Sequence, residues 1–277
     1  MNPPEASATP TPPAVSLGQF PAVGVSRFTT RFALVYGTLT VLLIASSAAF
    51  VVFIMNGDSG WSNWHPKSGT TAAVTKEIAD HVASEYRLSS GAQLVAVVPA
   101  PPAVTVGTRN IAITAVAAHT SPAPDSNVQS TLTNGTETYT FCGLEAECSL
   151  SGTPSTYRGQ LIRREALETA LYTFKYVPKI DSVIAFMPAS KASPLRELLY
   201  LRKQDLMQQL NQPLDKTLKL ATPPAPPSAA ATAANPNLDP DQVETPTIDQ
   251  LTLHRVFTYT FTDLQSNGAL LILSPLF

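Results

Sequence analysis

Hydrophobic residues follow two patterns along the chain: one uninterrupted apolar segment, and a longer region in which apolar and polar positions alternate. Residues 32–55 contain no charged side chain. A helix of that length would extend about 36 Å, enough to cross a hydrocarbon core of about 30 Å. A cleaved signal peptide is the alternative, but its apolar region is usually only about 7–15 residues long. We therefore predict an uncleaved membrane-spanning helix over 32–55.

Two amphipathic helices are predicted after this segment. Within 71–88, apolar side chains recur at every fourth position, which places them on one face of a helix. The second helix, over 154–176, starts at a Thr-Pro pair, which is typical of a helix beginning. A short third helix is predicted over 205–210.

Strands are predicted where β-branched and aromatic residues alternate with polar ones or form short apolar runs. The Asn-Gly pairs at 134–135 and 267–268 each predict a hairpin, because both positions of a tight hairpin turn favour positive φ. An isolated hairpin is marginal in water, so the C-terminal one is expected to pack on the preceding sheet. The predicted strands cover 94–98, 109–116, 183–187, 198–201, 257–261 and 270–273.

The fold class that follows is α+β: one N-terminal transmembrane helix, then a mixed-sheet ectodomain with two main amphipathic helices and β-hairpins. Residues 1–31 are Pro-rich and are predicted to be a disordered cytoplasmic tail. A juxtamembrane segment, 56–69, precedes the extracytoplasmic domain, 70–277. Within that domain, 221–247 is rich in Pro and Ala and is predicted to be a low-complexity, mobile loop.

Charged residues on either side of the apolar segment predict its orientation. Arg27 and Arg31 precede it, and no basic residue follows it until Lys67. The positive-inside rule then places the N-terminus in the cytoplasm and the C-terminal domain outside, in a single-pass protein of the cell membrane whose first partner is the lipid bilayer. Trp61 and Trp64 are predicted to be interfacial anchors at the outer surface, and a ligand-stacking role is the alternative.

The chain has two cysteines, Cys142 and Cys148. A disulfide is permitted outside the cytoplasm, and a C-x5-C pair at the end of a strand can close a small ring. A redox pair would be expected as C-x-x-C, and the four histidines are scattered without the spacing of zinc ligands. A nucleophilic cysteine has no local signature to support it. We predict a structural disulfide that pins the strand end against the start of the long helix.

Arg163 has an unusual position in the second predicted helix. At about 100° per residue it falls in the middle of the apolar face, while Arg164 falls on the opposite side. A buried arginine stays charged and must be paired or bonded to carbonyls. Arg163 is therefore predicted to be either a structural charge that ties the helix to a strand end or loop, or a ligand contact that grips a carboxylate or phosphate.

Composition and motifs remove several functional classes. The formal net charge is −2 and no basic block is present, so nucleic acid is not an expected partner. The sequence contains no phosphate-binding, dinucleotide-binding, metalloprotease, calcium-loop or nucleophile-elbow motif. No catalytic residue, cofactor or metal site is predicted, although dispersed carboxylates do not by themselves exclude an enzyme.

One long stretch around the cysteines reads FCGLEAECSLSGTPSTYRGQLIRREALETALYTFKYV. Together with GWSNWHP and the helix over 71–88, it resembles a family of uncharacterised actinobacterial single-pass membrane proteins. The resemblance covers the anchor and most of the extracytoplasmic domain. It implies the same topology but no activity, so it assigns no catalytic residue.

The expected function is that of a non-catalytic, membrane-anchored interaction module of the cell envelope, with an envelope protein or a cell-wall component as partner. The alternative is a cell-envelope enzyme with an unrecognised active site. The two hypotheses predict different surfaces. An enzyme should have a concave pocket with convergent polar groups, and an interaction module should have an exposed apolar patch or an unpaired sheet edge.

Overall fold

A computed structural model describes residues 60–106, 109–121, 127–145, 148–150, 154–188, 196–264 and 268–276. These residues belong to one unit, Gly57–Phe277. Its helices are α1 (Thr71–Glu85), α2 (Thr156–Tyr176), α3 (Met207–Leu210), α4 (Leu214–Thr217), α5 (Ala229–Ala234) and α6 (Thr245–Thr252). Its strands are β1 (Ala96–Ala100), β2 (Ala103–Val106), β3 (Arg109–His119), β4 (Val128–Leu132), β5 (Thr136–Cys142), β6 (Ser182–Phe186), β7 (Glu197–Arg202), β8 (Val256–Asp263) and β9 (Ala269–Pro275).

Hydroxyl side chains cap the two long helices. Thr70 Oγ1 accepts a hydrogen bond from the amide of Ala73, and the Ser155 hydroxyl accepts one from the amide of Arg158. Such caps satisfy backbone N–H groups that have no partner within the helix. Because Ser155 is the cap, α2 begins at Thr156 and not at 154 as predicted.

The nine strands form one sheet in the order β1-β5-β6-β7-β8-β9-β3-β2, and β4 also pairs with β3. Neighbouring strands are antiparallel except for two parallel pairs, β5 with β6 and β3 with β9. β2 pairs with the first half of β3, and β4 pairs with the second half. A register shift in β3 between Ile113 and Ala115 separates the two halves.

Very short connections join the two ends of this strand order. Only Pro101 and Pro102 separate β1, at one end, from β2, at the other. A single 3-10 turn, Thr133–Gly135, connects β4 to β5. Links of this length reach roughly 10–15 Å at most. The sheet must therefore curl until its edges approach each other, and it forms a nearly closed barrel.

Alternate residues of the central strands face two separate apolar cores. In β7, Leu199 and Leu201 pack with the helices, whereas Leu198 and Tyr200 belong to the barrel interior. This arrangement follows from the two-residue period of a strand, and burial of both faces explains the continuous apolar sequence of β7. The interior cluster consists of Ile113, Val116, Ile184, Leu198, Tyr200, Phe257, Leu271 and Leu273.

The predicted fold class is wrong, although helices and a mixed sheet are both present. In the described part of the chain, no helix is long and apolar enough to cross a membrane. The strands form one curled sheet with nearly joined edges, because strand order depends on pairing between distant segments that periodicity does not encode. The predicted membrane helix, 32–55, and the predicted tail, 1–31, lie outside the described residues.

One of the two predicted hairpins forms. β8 and β9 pair antiparallel, and Gly268 in their turn has a φ of 91°. The turn at 134–135 connects β4 to β5, but β4 pairs with β3, while β5 lies between β1 and β6. An Asn-Gly pair indicates a local change of direction, and tertiary contacts decide whether the flanking strands pair.

The Pro/Ala-rich segment 221–247 packs against α2. Tyr157 Oη donates to the carbonyl of Pro224 at 2.8 Å, and Gln160 Nε2 donates to Thr245 Oγ1 at 2.6 Å. The segment includes α5 and leads into α6. These contacts make residues 221–247 a cover segment over α2, and the mobility that their composition suggests stays a prediction.

Candidate functional site

The charged residues of α2 are arranged differently from the prediction. Arg164, which helical periodicity places on the solvated side, is 1% exposed, whereas the Arg163 side chain is 17% exposed. Arg163 forms an ion pair with Asp249 and donates through Nε to Thr252 Oγ1 at 3.1 Å. Both partners lie on α6. Arg163 therefore ties α2 to α6 at a partly buried position, and the deeply buried charge is Arg164.

Partners from three segments hold Arg164. Its Nε donates to Glu244 Oε2 at 2.6 Å, and its Nη2 donates to the carbonyl of Leu220. Its Nη1 donates to Tyr86 Oη, and Tyr86 Oη donates in turn to Glu168 Oε2 at 2.6 Å. A buried charge needs such complete pairing. The network fastens the end of α1 and the cover segment to α2, which is a structural role.

Glu165, next to Arg164 in the sequence, is a buried carboxyl group outside this network. It is fully buried, and neither carboxyl oxygen has a hydrogen-bond partner among the described residues. Burial raises the pKa of Glu165 well above its ordinary value, because the charged form would be desolvated. The protonated acid is thus favoured, and Glu165 behaves as a neutral core residue.

Trp61 and Trp64 pack inside the described fold. Trp61 is 4% exposed and meets Tyr172 edge to face, with ring centroids 5.3 Å apart. Trp64 stacks on His81 with centroids 4.0 Å apart. Burial lowers the pKa of His81, which favours a neutral ring in this stack. The indoles therefore hold the stretch before α1 against α1 and α2, and their anchoring at a membrane interface stays a prediction.

The disulfide prediction is confirmed. Cys142 and Cys148 are bonded, with Cα atoms 4.5 Å apart. The bond closes the turn after β5, in which the amide of Gly143 donates to the carbonyl of Cys148 at 2.9 Å. A Cβ atom at Gly143 would lie 2.0 Å from the carbonyl oxygen of Ser149. The turn therefore requires glycine at that position, and the bond is a structural clasp.

The strand β4 is exposed along its whole length. All five of its residues are exposed, and among the described strands its backbone pairs only with β3. Val128 is 51% exposed and Leu132 is 68% exposed. They lie on the same face, because residues four apart in a strand point the same way. β4 therefore combines an open backbone edge with an apolar surface.

The register of β3 and β4 identifies the open backbone groups. The amide of Thr120 donates to the carbonyl of Asn127 at 2.9 Å, which makes these two residues a hydrogen-bonded pair. Such pairs alternate along an antiparallel ladder, so every second residue after Asn127 also bonds toward β3. The residues whose N–H and C=O groups point away from β3 are Val128, Ser130 and Leu132.

One end of the barrel is open beside β4. Two clefts of about 570 and 550 Å³ lie there, and both are lined by Thr131, Tyr200 and Arg202. Arg202 Nη1 donates to Gln129 Oε1 at 3.2 Å, a contact that crosses from β7 to β4. The larger cleft is also lined by the polar side chains of His119, Asp205, Gln250, His254 and Arg255.

The charges in the larger cleft do not cancel. Arg202 donates to Asp205 through Nε and Nη2, at 2.9 and 3.2 Å. Arg255 Nε lies 4.0 Å from the same carboxylate, and Arg255 Nη1 donates to the carbonyl of Leu251. Among the described residues that line the cleft, Asp205 is the sole acid. Two guanidinium groups therefore face one carboxylate, which leaves an excess of positive charge.

Tyr200 lines both clefts and carries an unpaired hydroxyl. Its ring belongs to the barrel interior, with its centroid 6.5 Å from that of Phe257. Its Oη is buried and has no hydrogen-bond partner in the described part of the chain. A buried polar group without a partner costs about 1–3 kcal/mol. An acceptor supplied from outside the protein would recover part of that cost.

Sequence reasoning predicted a strand before the turn at 134–135, but it missed the free edge of β4 and the open end of the barrel beside it, the barrel mouth. β4 reads VQSTL, and a strand exposed on both faces has no alternation of apolar and polar residues to reveal it. The mouth is assembled from β3, β4, β7 and the turn before β8, which are distant in sequence. The one local signal was the Asn-Gly turn at 134–135, because a hairpin turn directly before β5 predicts another strand on its other side.

Comparison with protein-family models, with curated proteins and with solved structures gives no match. The resemblance to actinobacterial membrane proteins stays a prediction. A functional assignment therefore depends on the geometry of β4 and of the barrel mouth.

Proposed function

We propose that this protein is a non-catalytic interaction module of the cell envelope, whose partner adds an extended strand to the free edge of β4. The observation that carries this proposal is the one-sided pairing of β4 among the described residues, together with the exposure of all five of its residues. Strand addition is a common mode of peptide recognition, in which backbone hydrogen bonds give affinity and side-chain contacts give specificity.

The strand β4 itself contains none of the residues that usually protect an exposed edge. Natural edges are guarded by charged side chains, by proline, by bulges or by a covering element. The sequence VQSTL contains neither a charged residue nor a proline. Val128 and Leu132 instead offer apolar surface, and removal of such surface from water favours association. An open apolar edge of this kind favours a dedicated partner.

The disulfide supports the envelope location, because disulfide bonds persist in oxidising compartments and are rare in the cytoplasm. A backbone ladder requires a polypeptide, so the proposed partner is an envelope protein and not a cell-wall glycan. The partner segment would pair with the outward groups of Val128, Ser130 and Leu132. Its own side chains would then alternate between the Val128–Leu132 face and the opposite face of the extended ladder.

Site-specific photo-cross-linking in intact cells tests the proposal. A photoreactive amino acid at Leu132 of the full-length protein should form an adduct with another polypeptide. The matched control site is Val243, which is 66% exposed but lies on the cover segment. Cross-linked positions in the partner, mapped by mass spectrometry, should fall in one extended segment at every second residue.

A backbone substitution separates strand addition from contact through side chains. Ser130→Pro removes one outward N–H group and leaves the bonds of the ladder with β3 in place. It should abolish the Leu132 adduct, whereas Ser130→Ala should preserve it. Thermal melts of both variants check that the fold is intact. An adduct that survives Ser130→Pro in a folded protein, or that forms equally well from Val243, would contradict the proposal.

A further inference from the structure

We propose a second binding site, in the larger cleft at the barrel mouth, for a small organic anion. Its oxyanion group, a carboxylate or a phosphate, is held by Arg202 and Arg255 and accepts a hydrogen bond from Tyr200 Oη. This site takes a small molecule and does not depend on strand addition at β4. It would give the protein a ligand as well as a partner.

One nitrogen of Arg202, Nη1, can exchange its present hydrogen-bond acceptor for a ligand oxygen. Nε and Nη2 bond to Asp205, while Nη1 donates to the neutral amide oxygen of Gln129 at 3.2 Å. That distance is at the long end of the usual range for N–H···O bonds. A bond from the same nitrogen to an oxyanion would be roughly twice as strong as one to a neutral acceptor. An incoming anion can therefore replace Gln129 while Arg202 keeps its pair with Asp205.

Tyr200 supplies the second polar contact. It lines the wall that the two clefts share, as Arg202 does, and its buried Oη has no partner among the described residues. Displacement of Gln129 from Arg202 would bring an oxyanion to this same wall. The Tyr200 hydroxyl would then gain an acceptor. The energetic cost of leaving it unpaired in the free protein would be recovered when the anion binds.

The remaining wall of the cleft indicates an organic ligand. Val116, Phe257 and Pro275 add apolar side chains to the lining of the cleft. The volume of about 570 Å³ lies within the range of about 300–1,000 Å³ that small-molecule sites occupy. A ligand with an apolar body and one oxyanion head would use both parts of the cleft, whereas an inorganic anion would use only the arginines.

Calorimetric titration of the full-length protein with four probes tests this site. Benzoate and phenyl phosphate combine a charged head with an apolar body, inorganic phosphate lacks the body, and benzamide lacks the charge. At least one of the two organic anions should bind about tenfold more tightly than benzamide, because it adds charge-assisted bonds to the arginines. The same anion should also bind more tightly than inorganic phosphate. Tighter binding of benzoate would identify a carboxylate as the head group, and tighter binding of phenyl phosphate would identify a phosphate.

Two substitutions assign the binding to this cleft. Tyr200→Phe should raise the melting temperature of the free protein, because it removes an unpaired buried hydroxyl, and should weaken binding of the organic anion about tenfold. A tyrosine with only a structural role would not shift the two measurements in opposite directions. Arg255→Gln should also weaken binding about tenfold. The matched control is Arg87→Gln, at an exposed arginine that lines neither cleft, and it should leave the affinity unchanged.

Several results would overturn the proposal. They are equal affinities for the organic anions and benzamide, tighter binding of inorganic phosphate than of either organic anion, and no binding of any probe up to its solubility limit. An unchanged affinity in a folded Tyr200→Phe variant would do the same. None of these results bears on the cross-linking of β4, so the two proposals can fail separately.

Discussion

Arg164 and Glu244, 80 residues apart in the sequence, form an ion pair with 2.6 Å between Nε and Oε2, and their side chains are only 2% and 0% exposed. The amide of Leu220 donates to the other oxygen of Glu244, Oε1, at 2.6 Å. The Glu244 carboxylate lies near the end of the cover segment. It binds both Leu220, which directly precedes that segment, and Arg164 on α2. This relationship makes a Pro/Ala-rich stretch a necessary part of the fold.

Arg164→Ala should lower the free energy of unfolding by about 3–5 kcal/mol, because it leaves Glu244 buried without its counter-ion. Arg163→Ala should lower it by about 1 kcal/mol or less, since the Arg163–Asp249 pair is partly exposed. Urea denaturation of the two variants gives the comparison. As a control, Arg164→Met combined with Glu244→Leu should cost less than the sum of the single changes, because Glu244 is no longer left as a buried charge without its counter-ion. Equal losses for Arg163→Ala and Arg164→Ala would contradict the assigned roles.

Glu165→Gln should make the protein more stable than the wild type at neutral pH. The folded-state pKa of Glu165 is raised by burial, so its contribution to stability is complete below the unfolded pKa of about 4.5 and is lost as pH rises toward the folded value. Gln cannot ionise and avoids this loss. The difference in melting temperature between Glu165→Gln and the wild type should therefore grow as pH is raised from about 4 to 8. A constant difference across this range would show that Glu165 does not titrate abnormally.

Glu137, on β5, should add a second and narrower pH dependence. Burial raises the pKa of Glu137 to about 7, an effect that a hydrogen bond from Thr75 partly opposes. The carboxyl therefore loses its contribution to stability between its unfolded pKa of about 4.5 and a pH of about 7, with little further change above. NMR titration of the Glu137 carboxyl measures this pKa directly. A value near 4.5 would refute the prediction, and Thr75→Val should raise the pKa further.

Reduction of the disulfide should lower the free energy of unfolding by about 2 kcal/mol, as chain entropy predicts for a short loop. The Cys142→Ala, Cys148→Ala double variant should have the stability of the reduced wild type and should not respond to reductant. Chemical denaturation with and without reductant measures both. Two alkylatable thiols in protein purified without reductant would instead exclude the bond.

Two glycines should respond in opposite directions to alanine substitution. Gly268 has a φ of 91°, and a Cβ atom there would lie 2.6 Å from the carbonyl oxygen of Ala112, so Gly268→Ala should cost at least about 1–2 kcal/mol. Gly159 lies in α2 with open space around its Cβ position. Gly159→Ala should stabilise the protein by about 0.5–1 kcal/mol, because alanine has the higher helix propensity. Thermal melts of the pair test both, and destabilisation by Gly159→Ala would mean that α2 is covered at that point.

The sequence by itself determined the features that depend on neighbouring residues. The periodicity of 71–88 and 154–176 predicted helices that are observed as α1 and α2, which end three residues earlier and begin two residues later than predicted, respectively. The Asn-Gly pair at 267–268 predicted the hairpin of β8 and β9. The spacing of Cys142 and Cys148 predicted their bond. Each of these features forms through contacts within a short stretch of chain, so the local pattern contains the information.

The tertiary structure alone decided the features that depend on what packs against a segment from elsewhere in the chain. Helical periodicity assigned Arg164 to solvent, but α1 and the cover segment meet that side of α2, and Glu244 supplies the counter-ion. Likewise the turn at 134–135 leads β4 to β3 and β5 to β1 and β6, because the barrel joins strands that are distant in sequence. Burial of a side chain and pairing of an edge are properties of two surfaces in contact. A one-dimensional pattern describes only one of those surfaces, and so it could not predict the open edge of β4 or the cleft beside Tyr200.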